Sequence, residues 1–246
     1  MKTNSEKIRP IQALAALHES ASLRSVTGSL LRPGGFRLTE RGLSFCVFPP
    51  AAQIVDIGCG TGASVAYLRE KHRYQVLGFD VSEDLLRDND LAEYLPLALA
   101  RAEELPLAQE VCDGILCECV LSLVLEPNRA LSEFSRVLRS GGYLIVSDLY
   151  DRVLEEKVMA DVGEGTSVLR THNEIESLVA AAGFELMVWE DHTRYLRELA
   201  VQLIFSHGSL AGFCDFLAAS GSGCAGTSTP MTSPVPGYFL MVAQKK

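Results

Sequence analysis

Asp56 stands just ahead of three alternate glycines, Gly58, Gly60 and Gly62, in the run IVDIGCGTG, and Asp80 follows about one strand-helix unit later in GFDV. Glycines at such a turn let the backbone approach a ligand that a Cβ would hold off. A carboxylate at the tip of the next strand accepts hydrogen bonds from two ribose hydroxyls, so the pair reads as a nucleoside site. Other reactive groups stand elsewhere in the chain. The tetrad Trp189-Glu190-Asp191-His192 sets an imidazole beside two carboxylates. That composition suits a general base whose tautomer a neighbour fixes; the plainer alternative is Asp191 as a helix cap and His192 on the surface. Asp148 closes one apolar run and is either a pocket acid or a structural hydrogen-bond acceptor. Cys117-Glu118-Cys119 closes another, and the pattern of a strand expects Cys117 and Cys119 to point alike with Glu118 opposite. Plain strand packing also accounts for buried cysteines.

The glycines do not by themselves choose the nucleoside, because Gly58, Gly60 and Ala63 also satisfy the dinucleotide pattern G-x-G-x-x-G/A. Asp56 does. An acid two residues before the first glycine suits the cationic amino-acid end of S-adenosylmethionine and opposes a pyrophosphate, which places a nicotinamide oxidoreductase behind.

These residues need a scaffold of alternating strands and helices. Strand-like runs at 54–58, 75–80, 97–100, 114–119, 143–148, 185–190 and 238–243 alternate with helical patterns, the sequence form of a mostly parallel sheet with crossover helices. Before the sheet, an apolar-periodic segment at 11–17, a turn signal at Arg32-Pro33-Gly34-Gly35 and a second segment at 38–48 predict an N-terminal helical cap over residues 1–50. Residues 51–246 then form the main domain. More than 40 residues separate Glu190 from Tyr238. This insertion, 191–236, has helical periodicity in 194–217 and a Gly, Ser, Thr and Pro-rich stretch in 218–236. It leaves from the carboxyl end of the sixth strand, the edge where open α/β sheets bind ligands, and reads as a lid. Thr171-His172-Asn173-Glu174 predicts a capped helix start, with Gly183 as the stop.

Between residues 53 and 148 the chain resembles the class I S-adenosylmethionine-dependent methyltransferases. VDIGCGTG is similar to their first motif, GFDVSEDLL to the acidic second-strand motif and ARAEELPL to the adenine-flanking segment. CDGILCECVLSLV is similar to their fourth strand, and FSRVLRSGGYLIVSD to the helix, Gly-Gly turn and fifth strand that follow. The resemblance implies a Rossmann-like, seven-stranded, mostly parallel sheet with helices on both faces and an antiparallel last strand. It implies S-adenosylmethionine as cofactor, with Asp80 and Val81 at the ribose, Asp56, Gly58, Cys59, Gly60 and Gly62 at the amino-acid portion, and Ala102, Glu103 and Cys117 bordering the rest. Arg101 stands where many relatives carry Asp, so Glu103 is the substitute for the adenine contact. The implied reaction is direct in-line methyl transfer to a small or medium-sized acceptor, with His192, Asp148 and Cys119 as the catalytic candidates. The resemblance extends to ubiquinone/menaquinone-type and arsenite-type relatives. In the arsenite-type comparison Cys119 takes a thiolate position, so a thiol-dependent metalloid methyltransferase is the alternative. A regulatory module that binds S-adenosylmethionine without transfer is another.

Composition narrows the partners. A net charge of −9 over 246 residues disfavours a polyanion such as nucleic acid, which needs a cationic face. The seven cysteines form neither a zinc spacing nor an even disulfide set, so reduced thiols and no metal site are expected. No apolar run approaches the ~20 residues of a membrane helix, and the first residues lead into no signal-peptide core, so a cytoplasmic protein acting on a small molecule is the expectation.

Overall fold

A computed structural model of the chain describes residues 32–88, 94–152, 169–207 and 236–246. Its helices are α1 (Phe36–Leu43), α2 (Ala63–Tyr67), α3 (Glu83–Arg87), α4 (Pro127–Val137), α5 (His172–Ala181) and α6 (Thr193–His207). Its strands are β1 (Gln53–Ile57), β2 (Gln75–Asp80), β3 (Leu97–Leu99), β4 (Cys112–Glu118), β5 (Leu138–Asp151), β6 (Phe184–Asp191) and β7 (Pro236–Lys245). They form one sheet in the order β3-β2-β1-β4-β5-β7-β6, with β7 antiparallel to β5 and β6 and the remaining pairs parallel. The strand order reverses between β1 and β4. Crossovers leave that point in opposite directions and open a crevice at the carboxyl ends, where such sheets take ligands.

Each face of the sheet is covered, which is why its central strands are apolar along most of their length. On one face Leu131, Phe134 and Val137 of α4 and Ile175 and Val179 of α5 pack on Ile115, Cys117, Phe239 and Met241. On the other, Leu38 and Leu43 of α1, Val65 of α2 and Tyr195 and Leu196 of α6 pack on Ile54, Leu116, Tyr238 and Leu240. Strand β7 feeds both layers by strict alternation.

All seven expected strands form. Strand β5 begins earlier than the sequence suggests, because Gly141-Gly142 lies inside it, at a register shift opposite Cys112 and Gly114, with Gly141 at φ +78°. The cap at Thr171 is present: its hydroxyl accepts from Glu174 N at 3.3 Å, and Glu174 reaches back to Thr171 N at 2.7 Å. The helix ends at Gly183, φ +88°. Helix α6 opens the insertion as expected. Segments 11–17 and 208–235 lie outside the described residues.

Candidate functional site

The glycine turn joins β1 to α2 at the switch point. Gly58 N and Cys59 N donate to Phe79 O at 2.7 and 3.1 Å, fastening the turn to β2. Asp80 then receives Gly60 N at 2.8 Å on one oxygen and Ser82 N at 2.8 Å on the other. Gly58, Gly60 and Gly62 all have positive φ. A Cβ on Gly58 would lie 2.1 Å from Val120 Cγ2, whereas one on Gly60 would meet nothing within 4 Å. The first glycine is required by the protein, and the second lines open space. Val81 stands exposed beside Asp80, and Ala100 N donates to Asp80 O at 3.0 Å, bringing the 101–104 turn alongside. Within that turn Ala102 and Glu103 are buried, and Arg101 holds Glu103 at 3.2 Å. Cys59 packs under the turn against Gly78.

Behind the turn lies a buried ionic cluster. Asp56 follows Ile54 on the α1 side of the sheet, and Glu118 follows Leu116 on that side. Arg32 pairs with Glu118 at 2.7 Å, with only 9% and 3% of the two side chains exposed. The same guanidinium donates to Ser64 Oγ at 3.0 Å and Thr39 Oγ1 at 2.7 Å, and Thr39 donates to Glu118 at 3.0 Å. Burial raises the Glu118 carboxyl despite Arg32 and Thr39. Burial, with Glu118 and Asp80 adding repulsion, holds Asp56 well above the usual carboxylate range, opposed by Arg32. Asp56 Oδ2 and Arg32 Nε are buried with no hydrogen-bond partner.

The two strand-end cysteines do not point alike. Cys119 has left the strand with φ +59°, so alternation fails there: Cys117 packs into the α4 side and Cys119 against the α1 side. Cys119 Sγ lies 3.0 Å from Tyr238 Oη, which donates to Ser147 Oγ at 3.3 Å. Burial, the Asp148 charge and other neighbours push the Cys119 thiol above the ordinary range, and the fully buried Cys117 likewise. Tyr238 also ties down the insertion, taking His192 N on its carbonyl at 2.7 Å and donating its N–H to Thr193 Oγ1 at 3.1 Å.

Asp148 and His192 sit on different faces. Asp148 lines a small pocket on the α5 side with Leu121, Leu149, Leu169, Arg170 and Ile175. Ser122 N and Oγ donate to it at 2.8 and 2.7 Å, and Leu149 N at 2.7 Å. Burial raises its carboxyl to about 6 against those bonds. His192 stacks on Tyr195 on the other face and meets Glu190 at 2.9 Å through Nε2. Glu190 is held to about 2, first by its hydrogen bond from Arg41. Asp191 accepts from Thr193 N at 2.9 Å, a helix-start contact, and from Tyr150 Oη at 2.7 Å. The structure therefore joins Cys119 to the start of the insertion through Tyr238, and puts Asp148 on the other face from His192 but close enough for its charge to act on Cys119. Sequence reasoning missed Arg32, Thr39, Ser122 and Tyr238. The signals were faint: an arginine before Pro-Gly-Gly, and an aromatic residue opening the last strand.

The methyltransferase-domain family matches residues 55–146. Methyltransferase GfsG of Streptomyces halstedii is 30% identical over 68% of this chain, a match that spans 65% of the relative, just under two thirds of its length. The uncharacterized methyltransferase YodH of Bacillus subtilis (strain 168) is 32% identical over 68% of this chain and 73% of its own length. The chain belongs to the class I S-adenosylmethionine-dependent methyltransferases. The likeness in fold reaches further: the crystal structure of the [4+2]-cyclase SpnF superposes with a TM-score of 0.72 at 22% identity, covering 96% of this chain and 97% of that one. S-adenosylmethionine is the cofactor of this class, and the residues present fit it. Gly60 lines open space, Asp80 sets a carboxylate at the strand tip, and Asp56 Oδ2 is buried without a hydrogen-bond partner. Among the described residues no helix is long and apolar enough to cross a membrane, and no cluster of metal-binding side chains forms.

Proposed function

We propose that the chain transfers the methyl group of S-adenosylmethionine to a small or medium-sized acceptor held over the carboxyl ends of β4 and β5. The observation that carries this reading is the partnerless carboxylate oxygen of Asp56 under an open glycine turn at the sheet's switch point. In this reading Asp80 turns an oxygen to the ribose, exposed Val81 packs against the base, and Ala102 and Glu103 border it. Backbone from Gly58 to Gly62, including Cys59, surrounds the amino-acid portion, and Cys117 supports the site from the core. In the same reading residues 32–50, which include α1, flank the cleft, and α6 at the start of the insertion borders the acceptor.

When bound, S-adenosylmethionine supplies a methyl group already activated by its sulfonium. The protein's task is then to align an acceptor and exclude water, effects that together reach about 7–11 kcal/mol in favourable cases. His192 is the residue equipped for proton transfer. With Glu190 ionised, Nε2 must donate to it, which leaves Nδ1 as the basic atom for a hydroxyl or ammonium acceptor. Asp148 spends its lone pairs on Ser122 and Leu149 and so positions the turn after β4. The thiol-dependent alternative is disfavoured by Cys119, which burial keeps protonated against Tyr238, and by Cys117 facing the other way.

Calorimetric titration with S-adenosylmethionine, S-adenosylhomocysteine and NADH, with Asp80→Ala as control, tests the cofactor. Binding of the adenosyl ligands that the control loses supports the reading, and labelled-methyl transfer to an acceptor panel follows. Binding of NADH alone, or of nothing, overturns it; tight adenosyl binding with no transfer to any acceptor favours a regulatory module.

A further inference from the structure

The carboxyl edge of the sheet carries a second opening, on the α5 side and apart from the glycine turn. It is a cleft of about 260 Å³ at the ends of β4 and β5, walled by Leu121, Leu149, Leu169, Ile175 and Phe239. Ser122 and two charged residues, Asp148 and Arg170, complete its lining. The cleft adjoins the glycine turn through one residue: Leu121 and Ser122 follow Val120, whose Cγ2 would stand 2.1 Å from a Cβ on Gly58. Apolar walls with a few polar groups are the composition of a small-molecule site. This volume, below the roughly 300–1,000 Å³ of sites that enclose a whole ligand, suits one end of a molecule whose other end lies elsewhere.

The two charges are not equivalent. Asp148 is buried and its acceptor capacity is filled from inside, by the N–H and hydroxyl of Ser122 at 2.8 and 2.7 Å, the N–H of Leu149 at 2.7 Å and the N–H of Leu121. Four donors occupy the lone pairs of both oxygens and leave none for a ligand. Arg170 is half-buried, and among the described residues its guanidinium makes no ion pair or hydrogen bond, although its carbonyl accepts Asp151 N at 2.8 Å. A guanidinium at the side of an apolar cleft selects a carboxylate or a phosphate, to which it gives two parallel hydrogen bonds.

We propose that the cleft receives the end of the acceptor remote from the methyl group, an apolar chain or ring that ends in an anionic group, and that Arg170 is the residue that selects it. The inference rests on the methyltransferase reading above and adds to it the chemical class of the acceptor. The reacting end lies over the carboxyl ends of β4 and β5, the apolar body packs in the cleft, and the anion meets half-exposed Arg170 rather than buried Asp148. Burial of the body supplies affinity, and the arginine supplies the choice of charge.

The test reads binding, not turnover. Octanoate, octyl phosphate, octan-1-ol and octylamine are titrated calorimetrically into wild type, Arg170→Gln, Arg170→Lys and Arg129→Gln, each alone and saturated with S-adenosylhomocysteine. Arg129, exposed on α4, controls for charge at large. In wild type at least one of the two anions should bind roughly tenfold or more tightly than the alcohol and the amine, and the tighter of the two identifies the group. Arg170→Gln should remove that preference, Arg170→Lys should keep part of it, and Arg129→Gln should keep it within about twofold. Arg170→Gln breaks no side-chain bond among the described residues, so it should melt at the wild-type temperature. Tightest binding of the amine, which would give the selection to Asp148, overturns the proposal. So does an anion preference that survives Arg170→Gln, or binding of none of the four probes. S-adenosylhomocysteine is also titrated by itself: its failure to bind counts against the methyltransferase reading, while the probe titrations without it still decide the cleft.

Discussion

Burial holds the Asp148 carboxyl near 6 in the folded protein against an ordinary 3.8, and the sign of that shift has a consequence for stability. Between about pH 4 and 6 the folded state keeps a proton that the unfolded chain has released, so stability falls as pH rises through this window, by roughly 3 kcal/mol. Urea unfolding at the two ends of the window should show the fall, and Asp148→Asn should remove that part of it. Asp56 makes the complementary case. It is a buried carboxyl with a bare oxygen, so Asp56→Asn should raise the melting temperature of the ligand-free protein while weakening S-adenosylmethionine by about tenfold or more. A variant that gains stability and keeps its affinity would remove Asp56 from the site. The acid ahead of the glycine turn was legible in the sequence. The ion pair of Arg32 was not, because its partners lie 7, 32 and 86 positions away and meet it only in the folded chain.

At the scale of elements, the glycine turn separates a structural from a functional demand. Gly58→Ala would drive a methyl into Val120 at φ +69°, so it should destabilise the protein by several kcal/mol, measured by denaturant unfolding. Gly60→Ala meets open space and bears only the backbone cost of φ +53°, about 1–2 kcal/mol, so it should stay folded and lose cofactor binding. Reversed outcomes would mean that the open face at Gly60 is not where the ligand lies. Strand β4 shows where element-level reading from sequence stops. Alternation holds through Glu118, but the left-handed turn at Cys119 reverses the expected facing, and no local rule marks that residue in advance.

For the whole molecule, cofactor binding should appear as stability by mass action. S-adenosylhomocysteine at about a hundred times its dissociation constant adds about 2.7 kcal/mol, which for a chain of this size raises the melting temperature by roughly 5–10 °C, while NADH leaves it unchanged. A shift with NADH alone would return the glycine motif to the dinucleotide reading. What the sequence determined by itself was local and periodic: seven apolar runs at strand spacing, glycines where the backbone must turn, a carboxylate at a strand tip, and five ordered motifs that place the family. Those signals are short-range, and neighbouring residues suffice to express them. Tertiary structure decided what depends on two distant segments meeting. It seated Arg32 against Glu118, hung Cys119 and both ends of the insertion on Tyr238, and put Asp148 and His192 on opposite faces of the sheet. Side-chain pairing across a sheet follows from strand order and register, and a single sequence carries no mark of which remote partner will lie opposite.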